Sequence, residues 1–145
     1  MTRTIVVPWD GSEHSRRALD FLLKLLKEQT PAEVHLVNVQ PRSPVLDRMV
    51  GGRPTEVQHA EEPAMEAGRK LLAPAIHALN AAGAPHVAKV VIGDAPHEIV
   101  EYAKAHHCEG IVMGARGLGT VGTLVLGSVA HKVLHLTHVP VTFVK

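Results

Sequence analysis

The carboxy-terminal third of the chain carries a glycine-rich stretch of the kind that binds phosphate. Five glycines fall within the fourteen residues from Gly114 to Gly127, and Ser128 follows them. Glycine lets a backbone approach a ligand closely, and the free amides at the start of a helix attract anions. From Gly110 to the end, the chain has three basic side chains and no carboxylate. The combination predicts a phosphate site.

Besides the glycine-rich stretch, a short polar stretch, Asp10-Gly11-Ser12, follows an apolar run that ends at Pro8. Asp10 is a candidate site residue, because ligands of open parallel sheets bind at the carboxyl ends of the strands. An alternative is that Asp10 only caps the next helix, since Asp10 and Glu13 have the spacing of a capping box. Ser128 has the same alternative as the cap of the last helix.

Two common nucleotide motifs do not account for the glycines. The stretch from Gly117 to Gly122 matches GxGxxG, but it lies at the wrong end of the domain and no acid follows about 20 residues later to hold a ribose. Gly119 and Gly122 are interpreted as turn formers only. A Walker A loop requires Gly-Lys followed by Ser or Thr, which this chain lacks. P-loop NTPase chemistry is therefore excluded.

Short β-branched runs alternate along the chain with amphipathic stretches. The runs predict strands at 5–7, 34–39, 87–92, 110–113 and 140–144. Apolar residues at spacings of three and four predict helices at 12–28, about 62–82, 95–103 and 128–137, the third capped by Asp94 with Pro96 in its first turn. This order predicts one α/β domain over residues 1–145, an open parallel sheet with helices on both faces. Ligands of such sheets bind at the carboxyl ends of the strands, where both polar stretches lie.

Residues 41–60 do not fit the alternation. They carry three prolines and a Gly-Gly pair, and a connection of twenty residues is long. We interpret the segment as a loop between the second strand and second helix, with a lid or partner-binding loop as the alternative.

Composition narrows the class of protein. Hydrophobic residues make up 46% of the 145 residues and charged ones 20%, with a formal net charge of +1. Near-neutral charge and 3% aromatic residues argue against a nucleic-acid partner, and no apolar run is long enough to span a membrane. A single cysteine, Cys108, fits a reducing compartment. A cytoplasmic location is expected.

The motif spacing resembles that of the universal stress protein family. Gly114-x-x-Gly117, nine residues and then Gly127-Ser128 match the family signature G-2x-G-9x-G-(S/T). Asp10-Gly11-Ser12, Gly93-Asp94 and a terminal Pro-Val strand are similar to that family too. The resemblance spans the whole chain. It implies a Rossmann-like fold of the adenine nucleotide α-hydrolase type with strand order 3-2-1-4-5, a homodimer, and ATP binding, with or without Mg²⁺.

Carried over by position, the resemblance implies a nucleotide site formed by Pro8, Asp10, Val39, Met113, Gly114, Arg116, Gly117, Gly127, Ser128 and Val129. Asp10 would lie near the phosphates or a metal bound to them, and Val39 would contact adenine. Met113 and Gly114 would line the nucleoside, and Arg116 and Gly117 would border the phosphates. Gly127, Ser128 and Val129 would donate amide and hydroxyl groups. Two departures stand out. Glu109-Gly110 replaces the usual Asp-Leu before the fourth strand, which weakens local strand propensity. Trp9 replaces a smaller residue before Asp10 and could narrow the pocket.

Three hypotheses for function follow. The first is an ATP-binding stress-response module that hydrolyses ATP slowly at most, because only Asp10 and Arg116 are visible as charged groups for that chemistry. The second is a nucleotide-free dimeric interaction module of the same fold, which crowding by Trp9 would favour. The third, an adenylate-transferring enzyme, lacks the Ser-Gly-Gly-x-Asp-Ser loop that such enzymes carry.

Histidine is abundant, with eleven residues, but the spacings do not match a four-ligand zinc site. His131, His135 and His138 are interpreted as a solvated stripe on the last helix. His106-His107-Cys108 is a second possible cluster, in which Cys108 is interpreted as inert. For assembly, the apolar terminal strand from Val141 to Val144 predicts antiparallel pairing with a second copy across a two-fold axis.

Overall fold

A computed structural model describes residues 2–28, 31–44, 48, 52–117 and 126–145 of the chain. Strands and helices alternate along it. The strands are β1 (Arg3–Pro8), β2 (Ala32–Gln40), β3 (His86–Ile92), β4 (Gly110–Gly114) and β5 (Val141–Val144). The helices that connect them are α1 (Glu13–Glu28), α2 (Pro54–Ala81), α3 (Ala95–Ala105) and α4 (Ser128–Leu136).

The five strands form one parallel sheet in the order β3-β2-β1-β4-β5, which confirms the α/β class and the strand order. β1 lies at the centre, where Pro8 is opposite Val37 of β2 and Ile5 is opposite Gly110 of β4. Gly110 is thus paired despite its low strand propensity. The chain runs outward from β1 in both directions, so the carboxyl ends of β1 and β4 flank the switch in strand order where such sheets bind ligands.

α2 begins at Pro54 rather than near residue 62, so the last part of the segment 41–60 is helical. Proline suits the first helical position, and the amide of Arg53 donates to Oε2 of Glu56 at 3.4 Å across that first turn. The sequence interpretation placed the start later because residues 41–60 carry three prolines and a Gly-Gly pair and show no clear helical period. Here the helix continues through Pro63 and Pro74 over 28 residues.

Each face of the sheet has its own apolar cluster. The first lies under α1 and α2 and contains Val7, Trp9, Leu19, Leu36 and Leu72 among others. The second lies under α3 and α4. It contains Val6, Val37, Ile99, Met113 and Val133 among others. Neighbouring residues of a strand, such as Val6 and Val7, face opposite clusters, which is why the central strands read as continuous apolar runs.

Candidate functional site

A cavity of about 160 Å³ opens at the carboxyl ends of β1, β2 and β4. All ten residues implied by the resemblance line it: Pro8, Asp10, Val39, Met113, Gly114, Arg116, Gly117, Gly127, Ser128 and Val129. They come from four separate stretches of the chain, which only the parallel sheet brings together. Trp9, Ser15, Val37, Ala95, Ile99 and Ala130 complete the lining.

The inner wall of the cavity is apolar. Val37, Ile99 and Met113 are buried members of the second cluster, and Val39 packs against that cluster. Val37 and Val39 face the same side of β2 because successive side chains of a strand alternate. A wall of this kind suits a flat, weakly polar group such as a purine.

The mouth of the cavity carries charge. Asp10 and Arg116 are the charged side chains among its described lining residues. One carboxylate oxygen of Asp10, Oδ1, accepts a hydrogen bond from the amide of Ser12 at 2.9 Å. The other faces Gly117, where a Cβ would lie 2.5 Å from Oδ2. Glycine at 117 therefore makes room for the carboxylate.

The first helix is capped by Ser12, so the proposed capping role of Asp10 is wrong. α1 begins at Glu13, and the amide of Ser15 donates to Oγ of Ser12 at 3.2 Å. Ser12 is thus the N-cap residue, and its hydroxyl accepts a hydrogen bond from the amide of Ser15, the N3 residue. Asp10 lies two residues before Ser12, and its carboxylate accepts a hydrogen bond from the amide of Ser12 instead.

The start of α4 differs from expectation in the same way. Gly127 is the N-cap and Ser128 is the first helical residue, so Ser128 is not the cap. The amide of Gly127 donates to the carbonyl of Ala115 at 2.7 Å and is already engaged. Since the first turn of a helix has no intrahelical acceptor for its amides, those of Ser128, Val129 and Ala130 are the ones able to meet an anion.

The indole of Trp9 does not narrow the cavity as the sequence suggested. It is buried in the first cluster, on the α2 side of the sheet, and its Nε1 donates to the carbonyl of Leu71 at 2.7 Å. Asn38, which sequence reasoning missed, is also buried, and its Nδ2 donates to the carbonyl of Trp9 at 2.7 Å. The sequence signal for Asn38 was a polar side-chain amide between two valines of β2.

A polar cluster that the sequence did not reveal lies on the same face as the cavity wall. His35 of β2 is buried, with Nδ1 2.8 Å from the hydroxyl of Tyr102 and Nε2 2.7 Å from Oε1 of Glu33. The ring of Tyr102 stacks on His106 with centroids 3.9 Å apart. Burial, followed by the charges of Cys108 and Glu33, raises the pKa of Tyr102. A histidine within the apolar run of β2 was the available signal.

The other histidine and cysteine residues form no built site in the described part of the chain. The rings of His131 and His135 touch with centroids 4.6 Å apart, and both residues are exposed. Cys108 is buried, and burial raises the pKa of its thiol. No group of three or more histidine, cysteine or acidic residues is arranged to hold a metal among the described residues.

Two further observations complete the inventory. Gly119 and Gly122, interpreted as turn formers, lie outside the described residues. Asp94 occupies the N-cap of α3 as expected, but its side chain makes no capping hydrogen bond. Among the helices that the structure describes, none is long and apolar enough to cross a membrane.

Comparison with known sequences identifies relatives over the full length. The profile of the universal stress protein family matches residues 1–145. Universal stress protein YxiE of Bacillus subtilis (strain 168) is 31% identical over 149 residues, and the alignment covers all of both chains. A universal stress protein of Thermus aquaticus, named for its place in the QAH/OAS sulfhydrylase 3' region, is 33% identical over 147 residues with the same coverage.

Solved structures share the fold. Hypothetical protein MJ0577 superposes with a TM-score of 0.81 at 25% identity, covering 100% of this chain and 96% of the other. A universal stress protein in complex with cAMP has a TM-score of 0.69 at 25% identity, covering 99% and 97%. An Arabidopsis thaliana protein of the family with AMP bound has a TM-score of 0.70 at 19% identity, covering 99% and 91%, and shows the fold alone.

Proposed function

The chain belongs to the universal stress protein family, and from that premise we propose that its cavity binds an adenine nucleotide, ATP above all. The observation that carries the proposal is the convergence of four separate stretches of chain on one cavity at the switch in strand order. That a structural neighbour at 25% identity was solved with cAMP supports the class of ligand.

The chemistry of the two ends of the cavity sets the orientation of the ligand. The purine lies against the apolar wall that contains Val39 and Met113. The phosphates point to Arg116, Gly117 and the first turn of α4, where a guanidinium and helix amides stabilise negative charge. Reversing the ligand would desolvate the phosphates against apolar side chains, which is unfavourable.

The carboxylate of Asp10 places a negative charge at the phosphate end of the cavity. A carboxylate beside a polyphosphate is repulsive unless a cation neutralises the pair, and carboxylate oxygens are ligands that Mg²⁺ accepts. The carboxylate of Asp10, facing Gly117 across the mouth of the cavity, fits this role. Mg²⁺, when bound, would be held by Asp10 and the phosphates, where it would offset their charge.

The output of the site is conformational rather than catalytic. Among the described lining residues, only Asp10 and Arg116 carry charge, so hydrolysis has few groups to activate water and is slow at most. We propose that the protein is a stress-response module. Nucleotide binding shifts the population of its conformations and so changes the surface that faces a partner. The unpaired, buried thiol of Cys108 supports a reducing compartment, and we place the protein in the cytoplasm.

We also propose a homodimer formed through β5. β5 pairs with β4 along one edge, and its other edge meets no strand among the described residues. Val141, Phe143 and Val144 remain half-exposed on the single chain. An open apolar edge of this kind favours pairing with a second copy.

Equilibrium dialysis with labelled ATP tests the proposed function. We expect about one ATP per chain, as a single cavity of this type predicts, and we expect Gly117→Asp to abolish binding by placing a second carboxylate against the phosphates. Mass spectrometry of small molecules released from freshly purified protein identifies the nucleotide that is carried. Absence of binding at millimolar ATP would reject the proposal in favour of the nucleotide-free interaction module.

A further inference from the structure

Three hydrogen bonds fix Trp9, the residue that precedes Asp10. Its amide donates to the carbonyl of Val37 at 2.8 Å, which extends the pairing of β1 with β2. Its carbonyl accepts from Nδ2 of Asn38 at 2.7 Å, and its indole Nε1 donates to the carbonyl of Leu71 at 2.7 Å. Trp9 and Asn38 are 4% and 2% exposed, so both side-chain bonds are shielded from competing water.

The two side-chain anchors lie on the α2 side of the sheet, opposite the apolar wall of the cavity, whereas the bond from the Trp9 amide to Val37 lies within the sheet. α2 also supports the turn that follows, since Cδ2 of Leu71 lies 3.1 Å from the position of a Cβ on Gly11. Gly11 has a φ of +79°, which lets the chain leave β1 sharply. Asp10 is therefore held between a clamped residue and a packed turn, while its own carboxylate lies against Gly117.

We propose that Trp9 and Asn38 are positioning residues that fix the Asp10 carboxylate and thereby set the preference of the site for phosphorylated over unphosphorylated ligands. The inference rests on the proposed function. When the turn is clamped, the carboxylate stays beside Gly117. When the clamp is weakened, the carboxylate leaves this position and, without a bound cation, repels the phosphates. The side chains of Trp9 and Asn38 lie on the α2 face of the sheet and the apolar wall lies on the opposite face, so adenosine affinity should not depend on the hydrogen bonds of these side chains.

Affinities for ATP and adenosine, measured by isothermal titration calorimetry without Mg²⁺, test this role. Trp9→Phe keeps an aromatic ring but removes the indole donor, and we expect ATP affinity to fall about tenfold while adenosine affinity stays the same. Asn38→Ala removes the second bond and should act in the same direction. Tyr102→Phe is the matched control, because it removes a buried hydrogen bond in another cluster and should leave the ratio of the two affinities unchanged.

A double-mutant cycle shows whether the clamp acts through Asp10. In an Asp10→Asn background without Mg²⁺, the neutral amide does not repel phosphate, so Trp9→Phe should have little further effect on ATP affinity. Equal losses for ATP and adenosine, or the same loss in both backgrounds, would overturn the positioning role while leaving nucleotide binding intact. Failure of the unmodified protein to bind either ligand would instead overturn the proposed function, and this inference with it.

Discussion

The carboxylate of Asp10 and the α-carbon of Gly117 face each other so closely that a methyl group on residue 117 would lie 2.5 Å from Oδ2. The two residues are distant in sequence and leave different strands of the sheet. Their contact joins the turn after β1 to the glycine-rich stretch after β4. The geometry of the cavity mouth therefore depends on the absence of a side chain at position 117.

Gly117→Ala should weaken ATP binding without unfolding the protein. The added methyl must displace the carboxylate from its present position, and a displaced carboxylate would lie closer to the phosphates. We expect an affinity loss of about tenfold, equivalent to about 1.4 kcal/mol, by equilibrium dialysis. Gly110→Ala is the matched control in the same part of the chain, since a Cβ there meets only the carbonyl oxygen of Pro140 at 3.4 Å. Equal effects of the two substitutions would contradict the contact.

Tyr102→Phe should destabilise the fold, although the phenol lies outside the cavity. The substitution leaves Nδ1 of the buried His35 without its partner at 2.8 Å. An unsatisfied buried polar atom costs about 1–3 kcal/mol of unfolding free energy. Urea denaturation followed by circular dichroism measures the loss. A change in free energy below a few tenths of a kcal/mol would show that the hydrogen bond makes no net contribution.

Stability should fall as the pH rises above about 9. Burial holds the pKa of Cys108 above its ordinary value of 9.0, and burial, Cys108 and Glu33 hold the pKa of Tyr102 above 10.0. The unfolded chain therefore loses these protons first, so the free energy of unfolding decreases with pH until the folded groups also ionise. Denaturation at a series of pH values should show this decline, and Cys108→Ala and Tyr102→Phe should each flatten part of it. An unchanged slope in both variants would refute the assignment.

Substitution of Val141 by proline should separate the proposed dimer. The carbonyls of Pro140 and Val144 accept hydrogen bonds from β4, so the main-chain groups of Val141, which alternate with them, face the open edge. Val141→Pro removes an outward N–H, and Val141→Ala keeps it while shortening the side chain. Sedimentation equilibrium should show dimers for the unmodified protein and for Val141→Ala, and monomers for Val141→Pro. Dimers in all three would place the interface elsewhere.

Much of the fold could be predicted because its signals are local. Apolar runs such as Ile5–Val7 and helical spacing in 12–28 identify the elements, and the β-α alternation determines a parallel sheet. The resemblance added the strand order. The resemblance also implied the ten site residues that line the cavity. Parallel strands place their carboxyl ends at one edge, which brings Asp10 and Gly117 together from distant positions.

What escaped prediction depends on contacts between distant residues or on competing local signals. The bond from Trp9 to Leu71 and the bond from His35 to Tyr102 join different elements, and no spacing in the sequence encodes them. The start of α2 was misplaced because three prolines and a Gly-Gly pair leave residues 41–60 without a clear helical period. Asp10 was an alternative N-cap of α1 because Asp10 and Ser12 are two polar residues that lie close together in sequence. Only the helix start at Glu13 identifies Ser12 as the N-cap.

Two-dimensional amide NMR during titration with Mg²⁺-ATP tests the central claim most directly. The account predicts shifts in the amides of Asp10, Val39, Met113, Gly114, Gly117, Ser128 and Val129, all of which line the cavity. Adenosine should shift Val39 and Met113 but leave Ser128 and Val129 near their unliganded positions. The claim would be contradicted if saturating nucleotide left these amide signals unmoved. It would also be contradicted if only residues remote from the carboxyl ends of β1 and β4 shifted.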